Sequence, residues 1–192
     1  MNHLIIFAHP SSKSFNHAIY TNYEAALKEK GDHVIVRDLY SLNFNPILTM
    51  EEYHASKQGN YYDDVKVEQN YIKNTDIITF IYPVWWAGLP AILKGYIDRV
   101  FSYGFAYELE YESPIKLLKN KKAVQICTTG TPKEVYKQKG ILRSMNQTTD
   151  EEIFNFCGIE VIDHLYYGNV VEIEEGNRKQ ILEEIKEFAK NL

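Results

Sequence analysis

Short apolar runs alternate with amphipathic segments along the whole chain. Five runs have the length of strands: His3–Ala8, His33–Asp38, Ile77–Tyr82, Ala123–Thr128 and Glu160–Tyr166. The first, third and fourth are almost continuously apolar, which is typical of strands covered on both faces of a parallel sheet. We therefore predict a central parallel sheet of five strands.

The segments between these runs have the period of helices. Helices are predicted over Asn16–Lys30, which Gly31 ends, and over Pro90–Phe101, and the C-terminal segment repeats the pattern. Strands that alternate with helices are joined by right-handed crossovers. The chain is thus predicted to be a single α/β domain over residues 1–192. Its doubly wound parallel sheet has the flavodoxin-like order 2-1-3-4-5 and lies between two helical layers.

Composition narrows the class only a little. The chain is 45% hydrophobic and 24% charged, as in an ordinary globular protein, and its net charge of −5 argues against a nucleic-acid partner. It shows neither a long apolar span nor the charged start of a signal peptide, so we expect a cytoplasmic protein without membrane insertion. Cys127 and Cys157 fit no metal or redox spacing and are expected to be buried thiols.

A flavodoxin-like sheet binds ligands beyond the carboxyl ends of its strands, so the loops after the first, third and fourth strands are the candidate site. The first loop, His9–Asn16, is rich in hydroxyls and leads directly into a helix, whose N-terminus can bind phosphate. Ser14 and Asn16 can serve as helix caps alone or can also contact an anion. The loop lacks the glycine patterns of P-loop and Rossmann sites.

The other two loops offer a wall and an edge for a planar ligand. Both tryptophans lie in Tyr82–Pro90, where they can either wall a flat ring or pack on the core or on a partner chain. In Thr128–Pro132, Gly130 permits close approach, and successive N–H groups can form an anion-stabilising nest; the alternative is a plain turn. The three loops together supply a phosphate cradle, an aromatic wall and a polar edge, which are the parts that flavin mononucleotide (FMN) requires.

Rival chemistries fit less well. The six histidines include no i, i+4 pair and no HExxH motif, so no metal site is expected. The chain contains no GxSxG nucleophile elbow. A receiver domain would need acidic residues after the first strand, where this chain has His9-Pro10.

At these residues the chain resembles the NAD(P)H:quinone oxidoreductase (DT-diaphorase) family and its small bacterial relatives. The resemblance covers most of the chain. Its carriers are Ala8-His9-Pro10, Ser14-Phe15-Asn16, Asp38-Leu39-Tyr40, Asn43-Phe44-Asn45-Pro46, Ala91-Ile92-Leu93-Lys94-Gly95, Asp98-Arg99-Val100-Phe101, Gly104-Phe105-Ala106-Tyr107 and Thr128-Thr129-Gly130.

The resemblance implies a homodimer that transfers hydride from NADPH or NADH through a bound flavin to a quinone-like acceptor, with azo and nitro compounds as further candidates. The implied flavin-binding residues are His9, Ser14, Phe15, Asn16, Pro83, Val84, Trp85, Trp86, Ala87, Thr128, Thr129, Gly130, Thr131 and Tyr136. Tyr136 and the N–H groups around Gly130 are the candidates for stabilising negative charge on the ring. Tyr107 matches a tyrosine that a neighbouring subunit contributes to the substrate pocket.

Three positions depart from the family pattern. Leu142 stands where larger relatives carry a histidine that pairs with the tyrosine matching Tyr136. Thr131 replaces a second glycine, and Trp85 replaces a frequent glutamine. These departures leave the cofactor open, with FMN favoured and FAD the alternative, and they leave the acceptor open.

Two other functions are considered. Some small relatives are flavin-bearing ancillary subunits of potassium efflux systems, so the chain could serve a membrane partner through a peripheral contact. A one-electron flavodoxin carrier is the third interpretation, but its loops would be more acidic. The long connection Asn43–Asp64 is expected to be partly helical and either to cover the site or to support a dimer.

Overall fold

A computed structural model describes residues 1–111 and 113–192. The elements in chain order are β1 (Asn2–Phe7), α1 (Phe15–Glu29), β2 (His33–Asp38), α2 (Met50–Lys57), α3 (Asp63–Lys73), β3 (Ile77–Pro83), α4 (Ala91–Val100), β4 (Tyr107–Glu110), β5 (Ser113–Lys116), β6 (Lys122–Thr128), α5 (Lys133–Gln138), α6 (Ile141–Asn146), a π-helix (Gln147–Asn155), β7 (Glu160–Tyr167) and α7 (Glu175–Lys190).

Five of the strands form one parallel sheet in the order β2-β1-β3-β6-β7. This confirms the predicted flavodoxin-like order, because β6 and β7 are the fourth and fifth strands of that sheet. Every residue of β3 is buried, as expected of its central position between β1 and β6. The switch in strand order lies between β1 and β3, so a crevice opens beyond their carboxyl ends.

Helices cover both faces of the sheet. On one face α1 and α7 pack together, and Tyr23, Leu27 and Ile185 are fully buried there. On the other face α3, α4, α6 and the π-helix bury side chains such as Leu93 and Phe154. Two apolar layers therefore hold the sheet and fix the positions of the strand ends.

The long connection after β2 is partly helical, as predicted, since it contains α2. It is fastened to α4: a Cβ placed on Gly95 would lie 2.1 Å from the carbonyl oxygen of Pro46. The buried guanidinium of Arg99 donates to Glu52 at 2.9 Å and to the carbonyl oxygen of Asn45 at 2.8 Å. The connection thus packs beside α4.

Several elements were not predicted individually from the sequence: the helices α3, α5 and α6, the strands β4 and β5, and the π-helix. β4 and β5 form a short antiparallel hairpin, and the residues after α6 continue as a π-helix. The hairpin strands are only four residues long and partly charged, and a π-helix leaves no distinct apolar period. Cys127 and Cys157 are both buried and reduced, as predicted. Within the described ranges, no helix is long and apolar enough to cross a membrane.

Candidate active site

A cavity of about 530 Å³ lies beyond the carboxyl ends of β1, β3 and β6. We call it the switch-point cavity. Its lining residues are His9, Ser14, Phe15, Asn16, Pro83, Val84, Trp85, Trp86, Thr128, Gly130, Val170, Val171 and Arg178. All three loops selected from the sequence thus contribute to one cavity, and a fourth segment, after β7, completes it.

The start of α1 forms an anion-binding end of this cavity. Ser14 is the N-cap, and its side chain accepts from the N–H of His17 at 3.1 Å. The N–H groups of Phe15 and Asn16, which precede that donor, have no acceptor among the described residues. Free N–H groups at a helix N-terminus favour a phosphate or another anion. Ser14 is therefore both a cap and a lining residue.

Asn16 carries a buried polar atom that the fold does not satisfy. Its side chain is 3% exposed, and its Nδ2 donates to Thr128 Oγ1 at 2.7 Å. Its Oδ1 has no donor within the described part of the chain. A buried, unpaired carbonyl oxygen costs about 1–3 kcal/mol, so this atom is suited to a ligand that brings a hydroxyl or N–H donor. The ribityl chain of a flavin carries such hydroxyls.

His9 lies at one side of the cavity in its neutral form. Its Nδ1 accepts from the N–H of Ser11 at 3.0 Å, and burial lowers the pKa of its imidazole. The remaining proton is therefore assigned to Nε2, which can donate to a ligand. The centroid of the ring lies 6.4 Å from that of Trp85.

Arg178 brings a positive charge into the cavity from α7. Its guanidinium donates to the carbonyl oxygen of Val170 at 2.9 Å and lies 5.3 Å from the centroid of the Phe15 ring. These contacts hold it beside the start of α1. Arg178 was not predicted from the sequence, because a single arginine in a helix rich in charged residues gives no signal. Val170 and Val171 were not predicted from the sequence either.

The tryptophans lie on a strained two-residue turn. Trp85 and Gly88 exchange backbone hydrogen bonds of 3.1 and 3.0 Å, and between them Trp86 and Ala87 adopt left-handed φ values of 54° and 57°. Such turns prefer Asn and Gly, and each other residue costs about 1–2 kcal/mol. The Trp86 side chain is nevertheless fully exposed at the cavity. Strain that displays an aromatic ring beside a cavity is typical of a ligand-binding site.

The loop after β6 presents Gly130 to the cavity. Thr129 is buried, its hydroxyl donates to the carbonyl oxygen of Thr131 at 2.6 Å, and its N–H donates to Tyr167 at 2.9 Å. Thr129 and Thr131 therefore shape the loop and do not line the cavity. The N–H groups of Gly130 and Thr131 donate to no other described residue.

Three other predicted residues lie outside this cavity. Ala87 lines a second, apolar cavity on the other side of the tryptophan turn. Tyr136 lies on α5 and Leu142 on α6, and both side chains are partly buried against the core. Tyr107 lies on β4 with its ring edge-on to Phe156 at 5.1 Å, in a separate aromatic hollow. Within one chain the structure does not bring these residues to the switch-point cavity.

The strand order and the cavity define an α/β protein of flavodoxin-like fold whose ligand site lies at the topological switch point. The sequence profile of the family described as flavodoxin-like fold matches residues 1–191. The chain is 45% identical over 184 residues to an uncharacterized NAD(P)H oxidoreductase of Haemophilus influenzae, covering 95% of this chain and 91% of that protein.

Two further relatives have more specific names. NAD(P)H dehydrogenase [quinone] 1 of Rattus norvegicus is 32% identical, covering 94% of this chain and 73% of that protein. The structure of NAD(P)H:quinone oxidoreductase from Methanothermobacter marburgensis superimposes with a TM-score of 0.89 at 33% identity, covering 100% of this chain and 98% of that one. The chain therefore belongs to the NAD(P)H:quinone oxidoreductase family, and the resemblance stated from its motifs is confirmed.

Proposed function

We propose that this chain, acting as one domain over residues 1–192, is a flavin-dependent NAD(P)H oxidoreductase that reduces quinones by two-electron hydride transfer. The observation that carries the proposal is the switch-point cavity, in which free helix N–H groups, the unsatisfied Asn16 Oδ1 and Arg178 lie beside an aromatic turn. Membership of the quinone oxidoreductase family supports it. The bound flavin supplies the ability to accept and deliver a hydride.

The residues present fit FMN. We propose that Ser14, Phe15 and Asn16 hold its phosphate and ribityl region, with Arg178 adding a positive charge. Pro83, Val84, Trp85 and Trp86 would lie beside the ring, and Thr128 and Gly130 at its edge. We favour FMN over FAD because the cavity offers one helix N-terminus, which suits a single phosphate.

The protein's own catalytic contribution would be electrostatic and positional. Gly130 lines the cavity and its N–H group lacks an acceptor among the described residues, so this group can stabilise negative charge that develops on a bound ring. Tyr136 remains a candidate for this role from the family resemblance. Because Leu142 replaces the partner histidine of that tyrosine, we assign the larger share of charge stabilisation to the N–H group of Gly130.

We further propose that the protein is a homodimer. Tyr107 and Phe156 lie in an aromatic hollow of about 690 Å³ that is separate from the switch-point cavity. In the dimer this surface would face the site of the other subunit, which is the position that the resemblance implies for Tyr107. Light scattering coupled to size-exclusion chromatography tests the proposal: a mass near 22.4 kDa at micromolar concentration would refute it.

The test of the activity is direct. The purified protein, supplied with FMN, should bind it and should oxidise NADPH or NADH when menadione is present. Mass spectrometry of the cofactor released on denaturation separates FMN from FAD, and parallel assays with the two nicotinamides identify the donor. A protein that binds neither flavin and oxidises neither nicotinamide with menadione would refute the proposal.

The proposal includes a cytoplasmic location, where nicotinamide nucleotides are available and thiols such as Cys127 and Cys157 stay reduced. The alternative of an ancillary subunit of a potassium efflux system has no specific observation in its favour among the described residues. Co-purification with a transporter would be the result that favours it.

A further inference from the structure

A second cavity, of about 350 Å³, lies behind the tryptophan turn. We call it the apolar cavity. It is lined by residues of the turn, β3, α4, α6 and the π-helix. Its lining residues are Tyr82, Ala87, Gly88, Leu89, Lys94, Ile141, Ser144, Met145, Thr148, Thr149 and Ile153. Its volume falls within the range of small-molecule sites, about 300–1,000 Å³.

The polar side chains around this cavity already donate to protein acceptors. The hydroxyls of Thr148 and Thr149 each donate to a main-chain carbonyl one turn back, at 2.9 Å, and that of Ser144 does so at 3.3 Å. The hydroxyl of Tyr82 donates to Gln125 at 2.7 Å. A ligand in this cavity thus contacts aliphatic side chains and hydroxyls that already donate to the protein. An apolar group is the favoured occupant, because a polar group would lose its hydrogen bonds to water on entry.

The charged residue at the cavity is also engaged. Lys94 Nζ is paired with Asp98 at 2.5 Å, and both side chains are about half exposed. The interior wall is formed by aliphatic side chains such as Leu89, Ile141 and Met145. No described residue therefore places an unpaired charge in the wall, and nothing selects for a polar ligand.

The two cavities share the tryptophan turn as a wall. Trp85 and Trp86 line the switch-point cavity, and the next two residues, Ala87 and Gly88, line the apolar cavity. Small side chains at these two positions leave the second space open. A molecule seated against the turn on the switch-point side therefore lies next to the apolar cavity.

We propose that the apolar cavity binds the alkyl or polyprenyl substituent of a lipophilic quinone whose ring is reduced at the neighbouring site. This inference rests on the proposed function and deepens it, because it names the class of acceptor. The selectivity would come from burial of the chain, since each buried methylene strengthens binding by about fourfold.

The test is a substitution at Ser144, an exposed residue of the lining, that places a larger side chain in the cavity. Ser144→Phe adds a ring where the side chain lines the cavity and makes only a 3.3 Å hydrogen bond. Gln147→Phe adds the same ring at a neighbouring exposed position outside the lining and is the matched control. With 1,4-benzoquinone and its decyl-substituted form as acceptors, Ser144→Phe should lower kcat/KM about tenfold or more for the decyl compound only. Gln147→Phe should change neither value.

A binding measurement separates this inference from the proposed function. Isothermal calorimetry on the flavin-loaded protein, without nicotinamide, should show that wild type binds the decyl compound at least about tenfold more tightly than benzoquinone and that Ser144→Phe loses this preference. Absence of turnover with every quinone would refute the proposed function alone. Equal binding of the two quinones by wild type, or an intact preference in Ser144→Phe, would overturn the cavity assignment. If Ser144→Phe fails to fold, Ser144→Leu should show a smaller loss of the same kind.

Discussion

At the scale of one residue, Asn16 keeps a buried side-chain oxygen free for a ligand. The residue is buried in α1, one side-chain atom is bound to Thr128, and the other has no donor among the described residues. Folding alone gains nothing from that unsatisfied oxygen. A ligand that donates to it would turn a cost of the free protein into binding energy.

We therefore expect Asn16→Leu to weaken FMN binding about tenfold, which corresponds to the loss of one hydrogen bond of about 1.4 kcal/mol. The cofactor-free variant should unfold at about the same urea concentration, because removal of the unsatisfied oxygen offsets the loss of the hydrogen bond that Thr128 Oγ1 accepts. Fluorescence titration and urea unfolding measure the two quantities. Asn22→Leu, on the same helix but with its amide bound to the Ala18 carbonyl, should leave the dissociation constant unchanged.

Trp86 should show a trade of stability against activity. Trp86→Asn should raise the free energy of unfolding by about 1 kcal/mol, because asparagine tolerates the left-handed backbone, and should lower kcat/KM because the exposed ring is lost. Tyr111 is a control with a similar φ of 47° and an exposed side chain. Tyr111→Asn should stabilise equally with unchanged kcat/KM; equal losses of activity in both variants would contradict the role of Trp86.

His3 should make the protein sensitive to mild acid. The imidazole is buried, with Nε2 3.3 Å from Asp32, and burial lowers its pKa below 6.5, against the opposing charge of Asp32. Below about pH 6.5 the unfolded chain binds a proton that the folded protein resists, so the free energy of unfolding falls as the pH falls. Burial lowers the pKa of His9 in the same direction.

The measurement is urea unfolding between pH 7 and pH 5. His3→Gln removes one titrating group, so its stability should fall less steeply with acid than that of wild type, by up to about 1.4 kcal/mol per pH unit. Parallel curves for the two proteins would show that His3 does not titrate as argued.

At the scale of elements, the contact between α4 and the connection after β2 explains motifs that otherwise carry no chemistry. Gly95 lies directly beneath Pro46, and Arg99 binds Glu52 and the Asn45 carbonyl. The surface of α4 thus packs against the segment Phe44-Asn45-Pro46. The position of α4 matters for function, because the helix follows the tryptophan turn directly.

Gly95→Ala should destabilise the protein by about 1–3 kcal/mol, since the new methyl group would collide with the Pro46 backbone. Helix propensity alone predicts the opposite sign, a gain of about 1 kcal/mol. Gly176→Ala provides the comparison, because that glycine lies in α7 with no atom within 4 Å of its added Cβ. It should stabilise slightly, and a similar gain at Gly95 would contradict the contact.

The elements that could be predicted from sequence are those whose apolar pattern is strong. The strands of the parallel sheet, α1 and α4 were predicted to within one or two residues, because each has a continuous apolar run or a clear stripe. The hairpin and the π-helix depend on pairings or hydrogen bonds that no local pattern records. Arg178 was missed for the same reason, since only the packing of α7 beside α1 gives it a role.

At the scale of the whole molecule, the switch-point cavity is a consequence of strand order. Residues from the first loop, the middle of the chain and the segment after β7 meet only when the sheet is complete. Three loops could be predicted from sequence because they follow strong strands. The fourth could not, because its contribution depends on the segment after β7 folding back along the cavity.

Cofactor binding should consequently stabilise the entire fold. At an FMN concentration about 100 times the dissociation constant, linkage adds about 2.7 kcal/mol to the free energy of unfolding, and Tm should rise steadily with FMN. Differential scanning calorimetry measures the shift. Asn16→Leu should need more FMN for the same shift, and a Tm that is independent of FMN would contradict a site built from the folded sheet.

The tryptophan turn has an optical consequence. The only two tryptophans of the chain are adjacent on this turn, whereas its 15 tyrosines are distributed over many elements. Emission excited selectively in the indole band therefore originates from one point on the surface, the wall between the two cavities. The native protein thus carries a local fluorophore without any label, and quenching of that emission reports on occupancy of either side of the wall.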